Sequence, residues 1–149
     1  MTSSGLRVLV TGGRDFSTYE DRMWLYDGLN LLHSKQPITE IIEGGARGAD
    51  LAARNWALWR LGCFDTIKIT TMNADWERFG KGAGFVRNGE MAKLMPDIVL
   101  ACPGGAGTAH MVSVAKAHRL RVIYLEKMPV FRQRNTLGAD ETPRVLVGL

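Results

Sequence analysis

Cysteine is scarce in this chain. Cys63 and Cys102 are its only two cysteines among 149 residues, and no metal-type spacing accompanies them. A disulfide framework and a cysteine-rich metal module are both excluded. Cys102 stands beside a glycine-rich loop, where a reactive thiol is conceivable, but free cysteine usually behaves as a small hydrophobe and a buried strand-end residue is expected. His33, His110 and His118 join no metal constellation, so neither a metal nor another cofactor is expected. Long apolar runs are lacking too. The start of the chain has no stretch suited to a signal peptide or a membrane span, and a reduced, cytoplasmic protein without membrane contact is the expectation. Charge of one sign is only mildly in excess: 19 Lys and Arg against 15 Asp and Glu give +4, with the cations scattered. That balance suits an anionic small molecule. It makes a poor nucleic-acid footprint, because aromatic residues do not alternate with a cationic stripe. Internal repeats and low-complexity segments are absent.

What remains has the size and apolar content of one packed domain, taken to span residues 1–149. Short β-rich runs at Arg7–Thr11, Ile38–Glu43, Thr66–Thr71, Ile98–Cys102 and Arg121–Leu125 alternate with helical patterns. This alternation predicts a Rossmann-like α/β/α fold with a parallel sheet of about five strands, in the order 3-2-1-4-5. Leu25, Gly28, Leu29 and Leu32 mark one face of a helix over Tyr19–Lys35. A second helix starts near Ala49, carries Ala52, Trp56 and Trp59 inward, and stops at Gly62 in a left-handed cap. A third runs from Gly84 to Met95, with Met91, Leu94 and Met95 inward and Pro96 closing it; a fourth runs from Thr108 to His118. After Leu125 the pattern dissolves, and the final Arg144–Leu149 run reads equally as an edge strand or an oligomer contact.

Three strand-to-helix junctions share one construction, with Gly12-Gly-Arg-Asp15, Gly44-Gly-Ala-Arg-Gly-Ala-Asp50 and Pro103-Gly-Gly-Ala-Gly-Thr108 each following a strand. In a parallel sheet these points share an edge. Glycine lets backbone approach a ligand, and the helix that follows offers N–H groups and partial positive charge, so a phosphate is the natural occupant. The first loop is not G-x-G-x-x-G, and no G-K-[ST] follows any of the three, which argues against a standard dinucleotide site and a P-loop. The candidate binding residues are Gly12, Gly13, Arg14, Asp15, Gly44, Gly45, Arg47, Gly48, Asp50, Gly104, Gly105, Gly107 and Thr108. Near the exit of the third strand, Asp75 could bind ribose hydroxyls or act as a base, Trp76 could stack on a base, and Lys81 and Arg87 could reach phosphate oxygens, with Asn88 a further binding candidate. The plainer alternative has Asp75 capping a turn, Trp76 covering the core and the cations facing water.

Gly12-Gly-Arg-Asp-Phe16, Gly44 to Asp50, Ala74-Asp-Trp76, Gly80-Lys81, Ala83-Gly84, Arg87-Asn88 and Pro103 to Thr108 together resemble the YspA/cpYpsA-related branch of the SLOG superfamily. The resemblance implies a Rossmann-like domain that binds nucleotides or nucleotide-derived ligands, with relatives proposed as sensors or processors of them. Homo-oligomerisation is expected by analogy with relatives. More distantly, Arg87 and Pro103 to Thr108 are similar to the R…PGGxGTxxE pattern of the LOG phosphoribohydrolases. The glutamate of that pattern falls on Met111, whose thioether cannot replace a carboxylate. Cleavage of an N-glycosidic bond would need another acid. Glu43, at the end of the second strand, is expected to face the ligand and is the first candidate; Asp75 is the second. Asp15 and Asp50 read as helix caps, or as binders of ribose and loop N–H groups. The expected function is nucleotide binding, with a nucleoside monophosphate N-glycosidase and a single-stranded DNA-binding protein as alternatives.

Overall fold

The computed structural model describes residues 5–63 and 65–132. In chain order the elements are β1 (Leu6–Thr11), α1 (Tyr19–Lys35), β2 (Ile38–Glu43), α2 (Ala49–Leu61), β3 (Lys68–Thr71), the one-turn α3 (Trp76–Phe79), α4 (Ala83–Lys93), β4 (Ile98–Ala101), α5 (Ala106–Ala117) and β5 (Val122–Tyr124). The strands form one sheet in the order β3-β2-β1-β4-β5, and every pairing is parallel. Consecutive strands run outward from β1 to β3, and the chain then crosses to β4 on the other side. A crevice therefore opens between β1 and β4 at their C-terminal ends, where doubly wound sheets carry their ligands.

Alternation along the strands divides the interior. Val8 and Val10 of β1, Ile41 of β2 and Leu100 of β4 turn toward α1 and α2, where Leu25, Leu29, Leu32 and Trp56 complete the larger core. Leu9, Ile42 and Val99 turn the other way, onto Met91 of α4 and Met111 and Ala115 of α5. Period-2 side-chain placement makes this two-layer burial unavoidable once the sheet is parallel and covered on both faces. Trp56 is fully buried and its indole N–H donates to Asn30 Oδ1 at 2.9 Å.

Several sequence expectations need correction. Gly62 ends α2 at φ −64°, not in a left-handed cap, because the chain curls on through Cys63 and Asp65 N–H bonds to the Arg60 carbonyl. Trp59 is half exposed: it sits in the last turn of α2 and stacks on Tyr26 of α1, centroids 6.4 Å apart, rather than on the sheet. Met95 lies past the end of α4 at φ 52°, which turns its side chain to solvent before Pro96. Residues 125–132, which open the stretch after β5, pack more closely than their composition suggests. Leu125 fills the space beside Gly28, and Met128 and Val130 are buried in the larger core. The Arg144–Leu149 run lies outside the described residues. Among the described residues no helix is long and apolar enough to cross a membrane.

Candidate functional site

The three glycine loops meet at the sheet edge. Gly13 N–H donates to the Pro103 carbonyl at 2.9 Å, and the Gly13 carbonyl accepts from Ala49 N–H at 3.2 Å, so the first loop is tied to both of the others through a single residue. Gly48 adopts φ 81°, and a Cβ there would run into the Gly13 and Arg14 carbonyls. A Cβ on Gly104 would likewise meet Gly13 N and Thr108. At these positions glycine is required by backbone-to-backbone approach.

Two adjoining depressions result, and Arg14 lines both. The first, of about 390 Å³, lies over the second loop and the exit of β3. Arg14, Arg47, Arg87, Gly44, Gly45, Ala46, Asn73, Ala74 and Trp76 line it, with three guanidinium groups and no acid. Arg87 is the anchored cation: it donates to the Gly44 carbonyl, to Met72 O at 3.4 Å and to Asn88 Oδ1 at 3.1 Å. Burial lowers its pKa, with the Arg14 charge adding to the effect and Asp50 and Glu43 opposing it. Trp76 stands half exposed at the rim.

The carboxylates lie beneath this floor. Glu43, expected to face the ligand, is fully buried. One oxygen accepts the Gly45 N–H at 2.7 Å; the other accepts from the Thr71 hydroxyl and lies 3.8 Å from Arg54 Nε. The reason is strand parity. Glu43 follows Ile41 by two residues and so turns to the same side of the sheet, toward α2. Asp50, also buried, accepts the Ala46 N–H at 3.2 Å, in line with its reading as a binder of loop N–H groups. The Gly45 and Ala46 amides thus point inward to the protein's own acids, which leaves the guanidinium groups of Arg14, Arg47 and Arg87 as the charged donors lining this depression.

Burial pushes the Asp50 carboxyl up to about 6, with the Glu43 charge reinforcing the rise and the Ala46 and Gly44 amides and the Arg87 charge opposing it. Because its folded pKa lies above the unfolded value, this group stabilises the fold fully below about pH 4 and loses that contribution as pH rises through 6. Urea titrations from pH 4 to 7.5 are expected to show wild type losing of the order of 2 kcal/mol relative to Asp50→Asn over that range. Parallel pH profiles for the two proteins would contradict it.

The second depression, of about 350 Å³, lies along the first and third loops and includes Gly13, Asp15, Phe16, Asp21, Gly104, Gly105 and Arg132. Asp15 is not a helix cap. Thr18 caps α1 and pairs with Asp21 in a reciprocal capping box, leaving the Asp15 side chain in solvent, 3.8 Å from Arg47. Asp21 and Arg132 join the depression without having been candidates on sequence. The Thr18-x-x-Asp21 spacing was a readable signal for the first; nothing local marks Arg132.

Other candidates fall outside both depressions. Asp75 caps α3, accepting the Arg78 N–H at 3.0 Å, and Lys81 is exposed on the turn that follows. Asn88 is buried between α4 and α5, donating to Gly107 O at 3.3 Å and lying 3.1 Å from His110 Nδ1. His110 stacks on Phe85, centroids 4.1 Å apart. Gly12 packs under the edge against Ala49 and Cys102, and Cys102 is buried, which raises its thiol pKa. Met111 is fully buried in the smaller core, away from the edge.

The profile of the YspA, cpYpsA-related SLOG family matches residues 6–79, from β1 through α3. The Gene 61 protein of Mycobacterium phage D29 is 36% identical over 126 residues, covering 83% of this chain and 98% of that protein. The chain belongs to the YspA, cpYpsA-related SLOG family. Membership in this SLOG family suggests a nucleotide-related ligand. The matched segment of the SLOG domain contains the first two glycine loops and Trp76, and the third loop completes the edge from outside it. No solved structure matches the chain.

Proposed function

We propose that the chain binds a nucleotide or nucleotide-derived phosphorylated ligand at the glycine edge of its sheet, as a sensor or processor of that molecule. The observation that carries this reading is the first depression, where Arg14, Arg47 and Arg87 converge without an acid among the lining residues. Guanidinium groups recognise phosphate oxygens through paired N–H donors, and Arg87 is already oriented by the carbonyls of Gly44 and Met72. Trp76 offers a flat, half-exposed face beside them for a base. Glycosidic cleavage would call on Glu43 or Asp75, and neither side chain lines the depression; binding is the reading advanced.

Calorimetry against AMP, other nucleoside monophosphates and ribose 5-phosphate tests it. Binding that weakens as salt rises is expected, and Trp76→Ala should lower AMP affinity about tenfold while changing ribose 5-phosphate affinity little, the size of one stacking contact. Failure of every nucleotide to bind at millimolar concentration removes the proposal.

A further inference from the structure

Two buried carboxylates lie beneath the first depression, and they are partnered unequally. Glu43 of β2 has a cation of its own in Arg54, 3.8 Å away, besides the Gly45 amide and the Thr71 hydroxyl. Asp50, at the start of α2, has the Ala46 amide and relies on Arg87 of α4 for counter-charge. Acid and cation face each other across Gly44: the space a Cβ there would take is bounded by the Arg87 guanidinium and, at 3.0 Å, by Asp50 Oδ2. The same guanidinium lines the depression above. One cation thus serves an acid below and any anion above.

The other groups around Asp50 cannot take over that service. Glu43 is itself an acid, and burial keeps the Cys102 thiol at the exit of β4 protonated. Arg14 and Arg47 stand on the lining, where an incoming anion engages them as well. A phosphate seated on the arginines offsets their charge and brings negative charge close to a buried carboxylate, which disfavours its ionised form.

Resting on the nucleotide reading above, we propose that anion binding in the first depression is coupled to proton uptake by Asp50, so that the site loosens its hold on the ligand as its surroundings turn alkaline. Burial, reinforced by the Glu43 charge, already holds the Asp50 carboxyl at about 6, and a further rise on binding brings it into the neutral range. Below that value Asp50 is protonated with or without ligand and costs the complex nothing. Above it, binding must draw a proton from solution, and affinity falls with rising pH until the carboxyl ionises in the complex too.

Calorimetry with AMP from roughly pH 5.5 to 8 tests the coupling. The phosphate of AMP itself ionises near pH 6, so wild type is measured against Asp50→Asn, in which the ligand's own titration is the same. Relative to that variant, wild-type affinity is expected to fall about tenfold across the range, the equivalent of one further unit of rise in the carboxyl. Near pH 7, titrations in two buffers of different protonation enthalpy should show wild type taking up more protons per AMP than Asp50→Asn. Glu43→Gln removes the neighbouring charge that raises Asp50, so the fall should move to lower pH rather than vanish. Difference infrared spectra need no variant: AMP added to wild type near pH 7 should increase the protonated-carboxyl band. Parallel pH profiles for wild type and Asp50→Asn, or no gain in that band, overturns the coupling and leaves nucleotide binding in place. Failure of AMP and of the other nucleoside monophosphates to bind overturns both.

Discussion

Alanine at position 48 is expected to lower the unfolding free energy by about 3–4 kcal/mol and to abolish ligand binding with it. Left-handed backbone costs a residue with a Cβ roughly 1–2 kcal/mol, and overpacking typically adds 1–3. Here the new methyl meets the Gly13 and Arg14 carbonyls, which are backbone and cannot swing aside as a side chain could. Relief requires the first and second loops to part, and that separates Arg14 from Arg47 and Arg87. Gly89→Ala is the matched control. Gly89 lies within α4, and a methyl added there would meet nothing within 4 Å beyond its own helix, so alanine should stabilise by about 0.5–1 kcal/mol through helix propensity. Urea denaturation reads both, and equal changes in the two variants would show that the loop contact has no special cost.

Arg87→Gln is expected to weaken nucleotide binding about 100-fold, the worth of a charge-assisted contact to phosphate, and to destabilise the fold by about 2–3 kcal/mol. The two effects share one cause. Arg87 holds the Gly44 and Met72 carbonyls and supplies the positive charge that opposes the rise in the buried Asp50 carboxyl. Its loss leaves that acid without a counter-charge and frees the loop at the same time. The Asp50 carboxyl should then titrate higher still, so the variant's stability falls further behind wild type as pH rises from 5 toward 7. Arg87→Lys should rescue the stability in part but not the affinity, since an ammonium group cannot reproduce the planar fork of donors. Wild-type affinity in Arg87→Gln would remove Arg87 from the site.

The sheet was readable because its strands are short, β-branched and punctuated by glycine, and the strand order followed from handedness once a parallel sheet was accepted. Glu43 shows where reading by proximity to a motif misleads. Its place before Gly44 suggested a ligand contact, but parity with Ile41 already assigned it to the α2 side. Asp15 is similar: a place near a helix start suggested a cap or a binder of ribose and loop N–H groups, whereas the capping box three residues on belongs to Thr18 and Asp21. Arg14, Arg47, Trp76 and Arg87 were legible as candidates because each adjoins a loop that must lie at the sheet edge. Arg132 was not, because its position is set by its ion pair with Asp21 and its seat over Trp24, contacts more than 100 residues apart in sequence that no local pattern encodes.

Gly13, bonded through its amide to Pro103 and through its carbonyl to Ala49, acts as a clasp across the point where the chain changes direction. Its proton can reach solvent deuterium only when the clasp opens, so its exchange rate measures how often the crevice comes apart. A molecule bridging both depressions would slow that exchange by holding the loops together, which makes this one amide a gauge of occupancy for any compound, whatever its chemistry.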